Sequence, residues 1–420
     1  MKQKRFLEAV KRVSEMLHDF GYKCASRQKQ TYFSREGNNI KLGFVDMVTC
    51  TLNFLAKSTQ TELNRFFEHV IKSSERVSKQ AFAQARFKLT VDAFRLLFFE
   101  TAKQASVSAG LATFKVYRVL PIDGTTLRLE DTYALRSYFG VEGGERGGAA
   151  ARASVVADVL NGGLILDAQI DKLSCGERAL ALRHLAALKE LELENPLPIF
   201  DRGYASADMF DALGDTAFLF RLQRSFNAQI DRMAPGDCIK SLKIKGREFR
   251  LRVLKFALPS GEVETLVTNQ PKSILSSGDL KELYRLRWGV ETAYRTIKSA
   301  LQIENFTGTS RLLVEQDFFA TMFLKNMVAF AKLDADEIIA ENEKPENLYR
   351  QQTNINQLIG LLKDKLALAL LETSPRAQQR KVAAIIRQAA SYTVPIRPAR
   401  SSPRKRKSFK RFSSSAKSAL

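Results

Sequence analysis

Cysteine is scarce: Cys24, Cys50, Cys175 and Cys238 stand far apart, with no C-x-x-C pair. Histidine is scarcer, and His18, His69 and His184 are equally dispersed. This argues against a disulfide framework or a zinc site, and makes buried structural thiols in a reducing cytoplasm the default. With so little histidine and no nucleophile elbow, no Ser/His/Asp or Cys/His set for covalent catalysis is suggested. No apolar run approaches about 18 residues, so no membrane-spanning helix is expected. The opening MKQKRFLEAVKRVSEML is amphipathic and carries acids, unlike a signal peptide. Residues 140–150, GVEGGERGGAA, lack a following Gly-Lys-Ser/Thr and open no helix. They read as a flexible connection between strands and not as a phosphate-binding loop.

What is abundant is positive charge. Across 420 residues, 66 Lys and Arg face 45 Asp and Glu, a net +21. Such a surplus points to a polyanionic partner, nucleic acid ahead of membrane. Apolar content of 45% and charged content of 26% are those of a globular chain with room for two or three domains. Residues 395–420 hold nine basic residues and no acid and should be disordered when free; without them the body still carries +12, from 21 minus 9.

The most informative stretch is Tyr284 to Lys298, YRLRWGVETAYRTIK. Leu283, Leu286, Val290, Ala293, Ile297 and Leu301 recur at helical spacing, predicting an amphipathic helix from about Asp279 to Leu301. At roughly 100° per residue, Tyr284, Arg287, Glu291 and Lys298 fall within about 60° of one another. They form a polar stripe along about 21 Å of helix that flanks the apolar face. Glu291 is thereby placed at the core's edge beside two cations and a phenol, where a carboxylate can be half-desolvated and held still, as a metal ligand must be. The alternative is an ordinary solvated helix face with i,i+4 pairs. Trp288 lies near the stripe and is expected to pack.

The order Tyr-x2-Arg-x3-Glu-x6-Lys resembles the YREK signature of the IS-four family of bacterial insertion-sequence transposases, within the DDE transposase and retroviral integrase-like class. The resemblance requires two further aspartates, each near a strand end. Asp123 lies in VYRVLPIDGTTLRL (116–129), rich in β-branched residues. Its alternative is an Asp-Gly hairpin turn. Asp201 follows the apolar LPIF and opens Asp201-Arg202-Gly203-Tyr204, which looks like the family's second-aspartate motif. Its alternative is a cap on the next helix. Carboxyl ends of strands are where open α/β sheets place ligands.

The fold expected is α/β: a ribonuclease-H-like catalytic core (111–310) with a β-rich insertion (about 224–270). Helical N-terminal (1–110) and C-terminal (311–394) regions flank it, followed by the basic tail. SVVADVL and LILDAQI, joined by Asn161-Gly-Gly, read as a hairpin in which Asp158 and Asp167 take sheet-end or surface positions. The insertion, with Lys240, Lys243, Lys245, Arg247, Arg250, Arg252 and Lys255, offers a DNA-backbone surface or simply a solvated sheet face. Helices near 44–56, 60–72 and 77–88 form either a helix-turn-helix-like unit presenting Lys79, Arg86 and Lys88 or a plain helical bundle.

The resemblance implies that Asp123, Asp201 and Glu291 hold Mg²⁺, with Mn²⁺ as a substitute, for phosphodiester hydrolysis and strand transfer. It implies double-stranded DNA, as transposon ends and target, contacted by Tyr284, Arg287, Lys298, Arg202, Tyr204, Lys79 and Arg86. It also implies a homodimer on paired ends, in the bacterial cytoplasm with the nucleoid. A non-catalytic DNA-binding repressor, or another ribonuclease-H-like nuclease, remains the alternative function.

Overall fold

The computed structural model describes residues 4–29, 41–53, 58–144 and 147–397. Most of the expected basic tail, from residue 398, and two positions of the glycine-rich stretch lie outside them. The chain divides into two compact units. One comprises 109–126 and 152–294; the other comprises 1–108, 127–151 and 295–420.

The first unit is built on a mixed sheet. Its strands are β1 (Arg118–Arg128), β3 (Gly148–Asp158), β4 (Leu164–Lys172), β5 (Pro196–Phe200), β6 (Leu219–Arg221), β7 (Gly236–Ile244), β8 (Arg247–Ala257) and β9 (Val263–Thr268); the two-residue β2 (Val141–Glu142) falls in the other unit. The order is β3-β1-β5-β6-β9-β8-β7, and β4 pairs with β3 as the expected hairpin. β1, β5 and β6 run parallel. The insertion is not a separate β-domain: β9 pairs antiparallel with β6, so β7–β9 extend the central sheet.

One face of this sheet is covered by the helix Ser277–Leu286. Leu280, Leu283 and Tyr284 pack on Val119, Leu197, Ile199, Leu219, Leu254 and Leu266, all nearly without exposure. The other face carries stacked aromatics, with Phe200 and Phe220 rings 4.4 Å apart and Phe210 edge-on to Phe220 at 5.1 Å. Period-two alternation makes both faces possible: Leu197 and Ile199 point to the helix, while Phe200 points away. Asp158 and Asp167, expected at sheet ends or the surface, are instead buried, with 0% and 1% exposure. Burial is tolerated because each carboxylate has a partner: Arg118 at 2.6 Å and Asn161 at 2.8 Å serve Asp158, and His184 serves Asp167.

The second unit is mostly helical. Its longest element is Arg311–Glu341, 31 residues with a largely buried surface, against which Arg5–His18, Asp92–Val107 and Pro375–Ser391 pack. The N-terminal helices fall close to the expected segments: Phe44–Leu52, Thr59–Phe66 with a wide turn at Phe67–Ile71, and Lys79–Arg86. Ser58, accepting from the Thr61 amide, is the cap of the second. Among the described residues no helix is long and apolar enough to cross a membrane.

Candidate active site

Strand register brings the two aspartates together. Arg118–Pro121 of β1 pair in parallel with Pro196–Ile199 of β5. Counting two residues on from Pro121 and Ile199 reaches Asp123 and Asp201, side by side at the carboxyl ends of the paired segments. Both have the parity of Val119 and Ile199, so both face the side covered by Ser277–Leu286. Asp123-Gly124 sits within an eleven-residue strand and not in a hairpin turn. Nor does Asp201 cap the next helix, because Ser206 does so through the Met209 amide.

Glu291 arrives from the third element. The expected long helix is real in direction but interrupted. Ser277–Leu286 ends at Arg287, Trp288–Arg295 follows, and a wide turn, Thr296–Ala300, closes the run. Gly289 allows this second helix to reach the sheet: a Cβ there would stand 2.6 Å from Val159 Cβ. Such interruptions are frequent at functional sites.

At the centre lies Arg287. Its guanidinium nitrogens stand 3.8 Å from Asp123 Oδ2, 3.8 Å from Asp201 Oδ2 and 3.4 Å from Glu291 Oε1. The remaining oxygen of each aspartate is occupied by the next residue's amide, Gly124 at 2.9 Å and Arg202 at 2.8 Å. Tyr284 donates its hydroxyl to Asp201 Oδ1 at 2.9 Å. Three acids remote in sequence thus share one cation.

The two aspartates titrate in opposite directions. Burial, reinforced by nearby Glu177 and Asp201, pushes Asp123 up to about 6 despite Arg287 and the Gly124 amide. Burial also pulls on Asp201, but the Arg202 amide, Arg287 and Tyr284 outweigh it and hold Asp201 below the usual carboxylate range. Tyr284 is raised to about 12 by burial and by Asp201. The site is also incompletely satisfied. Arg287 Nε is buried without a hydrogen-bond partner, a costly state that buried polar groups seldom keep.

Among the described residues no three Asp, Glu, His or Cys groups stand close enough to hold an ion as they are placed. The spacing is that of a planar guanidinium, larger than a metal ion. The donor set still fits a hard divalent cation, being carboxylate oxygen throughout and already focused on a single positive group.

The other expected contacts divide. Arg202 is half exposed, paired with Glu262 at 3.6 Å. Lys79 is exposed. Lys298 lies in the second unit, 3.4 Å from Glu304. Two expected DNA contacts are closed off. Tyr204 is buried against Phe200, with ring centroids 5.7 Å apart. Arg86 is 1% exposed, donating to Gln316 at 3.1 Å, Asp317 at 2.8 Å and Thr307. A guanidinium with that many partners is an internal tie. On the insertion, Arg252 is likewise locked to Asp237 at 2.7 Å, whereas Lys240, Lys243, Lys245 and Arg250 stay exposed. Trp288, expected to pack, is 55% exposed, its ring 5.4 Å from the Arg287 guanidinium carbon.

Sequence reasoning missed one assembly. Asp167, His184 and Ser154 form a hydrogen-bonded chain in the core. Its members come from three elements, so no local spacing announced it.

Comparison with known proteins places this geometry in context. A family model described as "Transposase DDE domain" matches residues 114–327, just over half of the chain. Over 354 residues the chain is 24% identical to the transposase InsG of insertion sequence element IS4 from Escherichia coli strain K12, covering 78% of this chain and 76% of that protein. It also resembles a cryo-EM structure of the piggyBac transposase synaptic complex with hairpin DNA, with TM-score 0.50, 11% identity and coverage of 90% of this chain and 85% of that one. At that identity the likeness is one of fold, the mixed α/β, ribonuclease-H-like architecture.

Proposed function

The chain belongs to the family of the transposase DDE domain, and from that membership we propose that it is a DNA transposase of the IS-four type, cutting transposon ends and joining them to target DNA. Asp123, Asp201 and Glu291 are the groups that hold Mg²⁺, or Mn²⁺ in its place. The observation that supports this most is the convergence of all three on the Arg287 guanidinium.

When bound, such ions activate the attacking oxygen and stabilise the leaving one. The chain's own groups do the rest. Asp123 and Asp201 present Oδ2 while backbone amides fix Oδ1, so neither carboxylate can rotate freely. Tyr284 pins Asp201 from the helix side. Arg287 holds the three acids together until a stronger cation competes, and is then free to pair with a phosphate bidentately. Arg202, Lys298 and Lys79, with the exposed lysines of β7, supply further backbone contacts. Tyr204 and Arg86 are not among them, being buried.

In the first step the oxygen of water bonds to phosphorus and the P–O3′ bond at the transposon end breaks, leaving a 3′-OH and a 5′-phosphate. In the second the 3′-OH attacks a target phosphate and displaces the target's own 3′-oxygen, so the number of diester bonds is conserved. Two copies act on paired ends, since each end needs its own set of acids.

The test is cleavage of duplexes carrying the element's terminal repeats, with Mg²⁺ or Mn²⁺. Nicked and joined products are expected from the native chain, and Glu291→Gln should bind the same duplex without cutting it. Full cleavage by Glu291→Gln would remove Glu291 from the mechanism. Binding without cleavage by the native chain under either metal would favour a repressor.

A further inference from the structure

The peptide unit between Asp123 and Gly124 is held at both ends. Its N–H donates to the Asp123 carboxylate, Oδ1 at 2.9 Å. Its carbonyl accepts two side-chain hydroxyls, Ser154 Oγ at 3.0 Å and Tyr294 OH at 2.6 Å. Behind Ser154 stands His184, Nε2 at 2.9 Å, whose Nδ1 is 2.6 Å from Asp167 Oδ2. Gln169 donates to the same Asp167 oxygen at 2.8 Å. Ser154 and His184 have no exposure and Asp167 has 1%.

These are the residue types of a hydrolase triad, but no substrate can reach a serine with zero exposure. Nor does the serine's proton point to the histidine. A hydroxyl has one hydrogen. If Ser154 donates it to the Asp123 carbonyl, the Ser154–His184 contact requires Nε2 to be a donor. Nδ1 and Asp167 Oδ2, 2.6 Å apart, then share the one proton between them.

The geometry points to Asp167, His184, Ser154 and Tyr294 as positioning residues for Asp123. Together they fix the plane of the 123–124 peptide, and through its N–H they fix the direction of the carboxylate proposed to hold the metal ion. Tyr294 adds a second link, because it lies three residues beyond Glu291 on the helix Trp288–Arg295. Its hydroxyl therefore ties the third acid's helix to the first acid's backbone. This inference rests on Asp123 holding a metal ion, and its mechanical part stands on hydrogen bonds already present. Orienting groups of this kind typically alter metal affinity by about 10–100-fold.

Two measurements on the full chain test it. The first is NMR of protein labelled with ¹⁵N-histidine, where three histidines make the assignment tractable and His184→Asn identifies the signal. A slowly exchanging Nε2–H proton on His184 is expected. A ring protonated at Nδ1 alone would assign the hydroxyl proton to histidine and overturn the chain of donors. The second is Mn²⁺ titration. Ser154→Ala, which removes one oxygen and adds no bulk, should weaken binding about 10-fold, and Tyr294→Phe by a similar factor. Asp123→Asn should abolish the site. If Asp123→Asn loses Mn²⁺ while Ser154→Ala and Tyr294→Phe bind as tightly as the native chain, the positioning role falls and the acid site stands. If Asp123→Asn binds as well as the native chain, the acid-site assignment falls and the positioning role with it.

Discussion

Two polar clusters share the Asp123 backbone and differ in every measure of satisfaction. In the Asp167–His184–Ser154 chain, contacts run from 2.6 to 3.0 Å and exposure does not exceed 1%. Around Arg287, contacts run from 3.4 to 3.8 Å, and the acid side chains keep 25%, 37% and 32% of their exposure. One buried polar atom there, Arg287 Nε, lacks a partner. Folding has completed the first cluster and left the second one cation short of neutral. A saturated network builds a platform, while an unsaturated one retains affinity for something from solution.

The comparison can be broken at four points. The largest effect is expected from Asp167→Ala, which removes the shared partner of the buried His184 ring and the Gln169 amide. Chemical denaturation at pH 7 should show a loss of about 3–5 kcal/mol. A loss below about 1 kcal/mol would mean that the inner chain does not depend on Asp167.

Next comes Gly289→Ala. Its methyl would meet Val159 at 2.6 Å and push the Trp288–Arg295 helix, with Glu291, off the sheet. Strand cleavage should fall by about 100-fold, close to 3 kcal/mol of barrier, with duplex affinity preserved in a mobility-shift assay.

Asp123→Asn should act on stability with the opposite sign to Asp167→Ala. Burial raises the folded-state value of Asp123 from near 3.8 to about 6. Between those values the folded state binds more proton than the unfolded one, so stability falls as pH rises through the window. In chelator, Asp123→Asn should therefore stabilise by roughly 1–3 kcal/mol at pH 7, the gain shrinking to nothing below about pH 4. Melting scans from pH 3.5 to 7.5 check this; a pH-independent difference would contradict it.

Tyr284→Phe should do least. It removes one hydrogen bond to Asp201, worth about 0.5–1.5 kcal/mol. Because Tyr284 helps to hold the Asp201 carboxyl low, the acid limb of the cleavage profile should move to higher pH. An unmoved limb would show that Tyr284 does not act through Asp201.

The same contrast explains what could be read from the chain alone. The outer cluster was legible because its parts obey local rules. Tyr284, Arg287 and Glu291 recur at helical spacing, and Asp123 and Asp201 close apolar strand runs. The inner cluster was not, because Ser154, Asp167 and His184 lie on two strands and a helix, and only packing brings them together. Helical spacing places Arg86 opposite its helix's apolar face, and the hairpin pattern places Asp167 at a sheet end or the surface, but neither pattern contains the remote groups, Gln316 and Asp317 or His184, that cover them. The length of the insertion was visible, but its pairing with β6 is a long-range contact that no window of sequence contains.

The ladder between β1 and β5 has a consequence for how such a chain can vary. Residues can be gained or lost in a connecting turn such as 173–175 without altering the distance between the two aspartates, because hydrogen-bond register, and not contour length, sets it. A single residue inserted within Arg118–Pro121 or Pro196–Ile199 would instead displace one carboxylate by about 3.3 Å and turn it to the aromatic side of the sheet. Tolerance to length change is thus expected to be lost in those two four-residue windows and kept in the turn at 173–175, a contrast that an insertion scan would show.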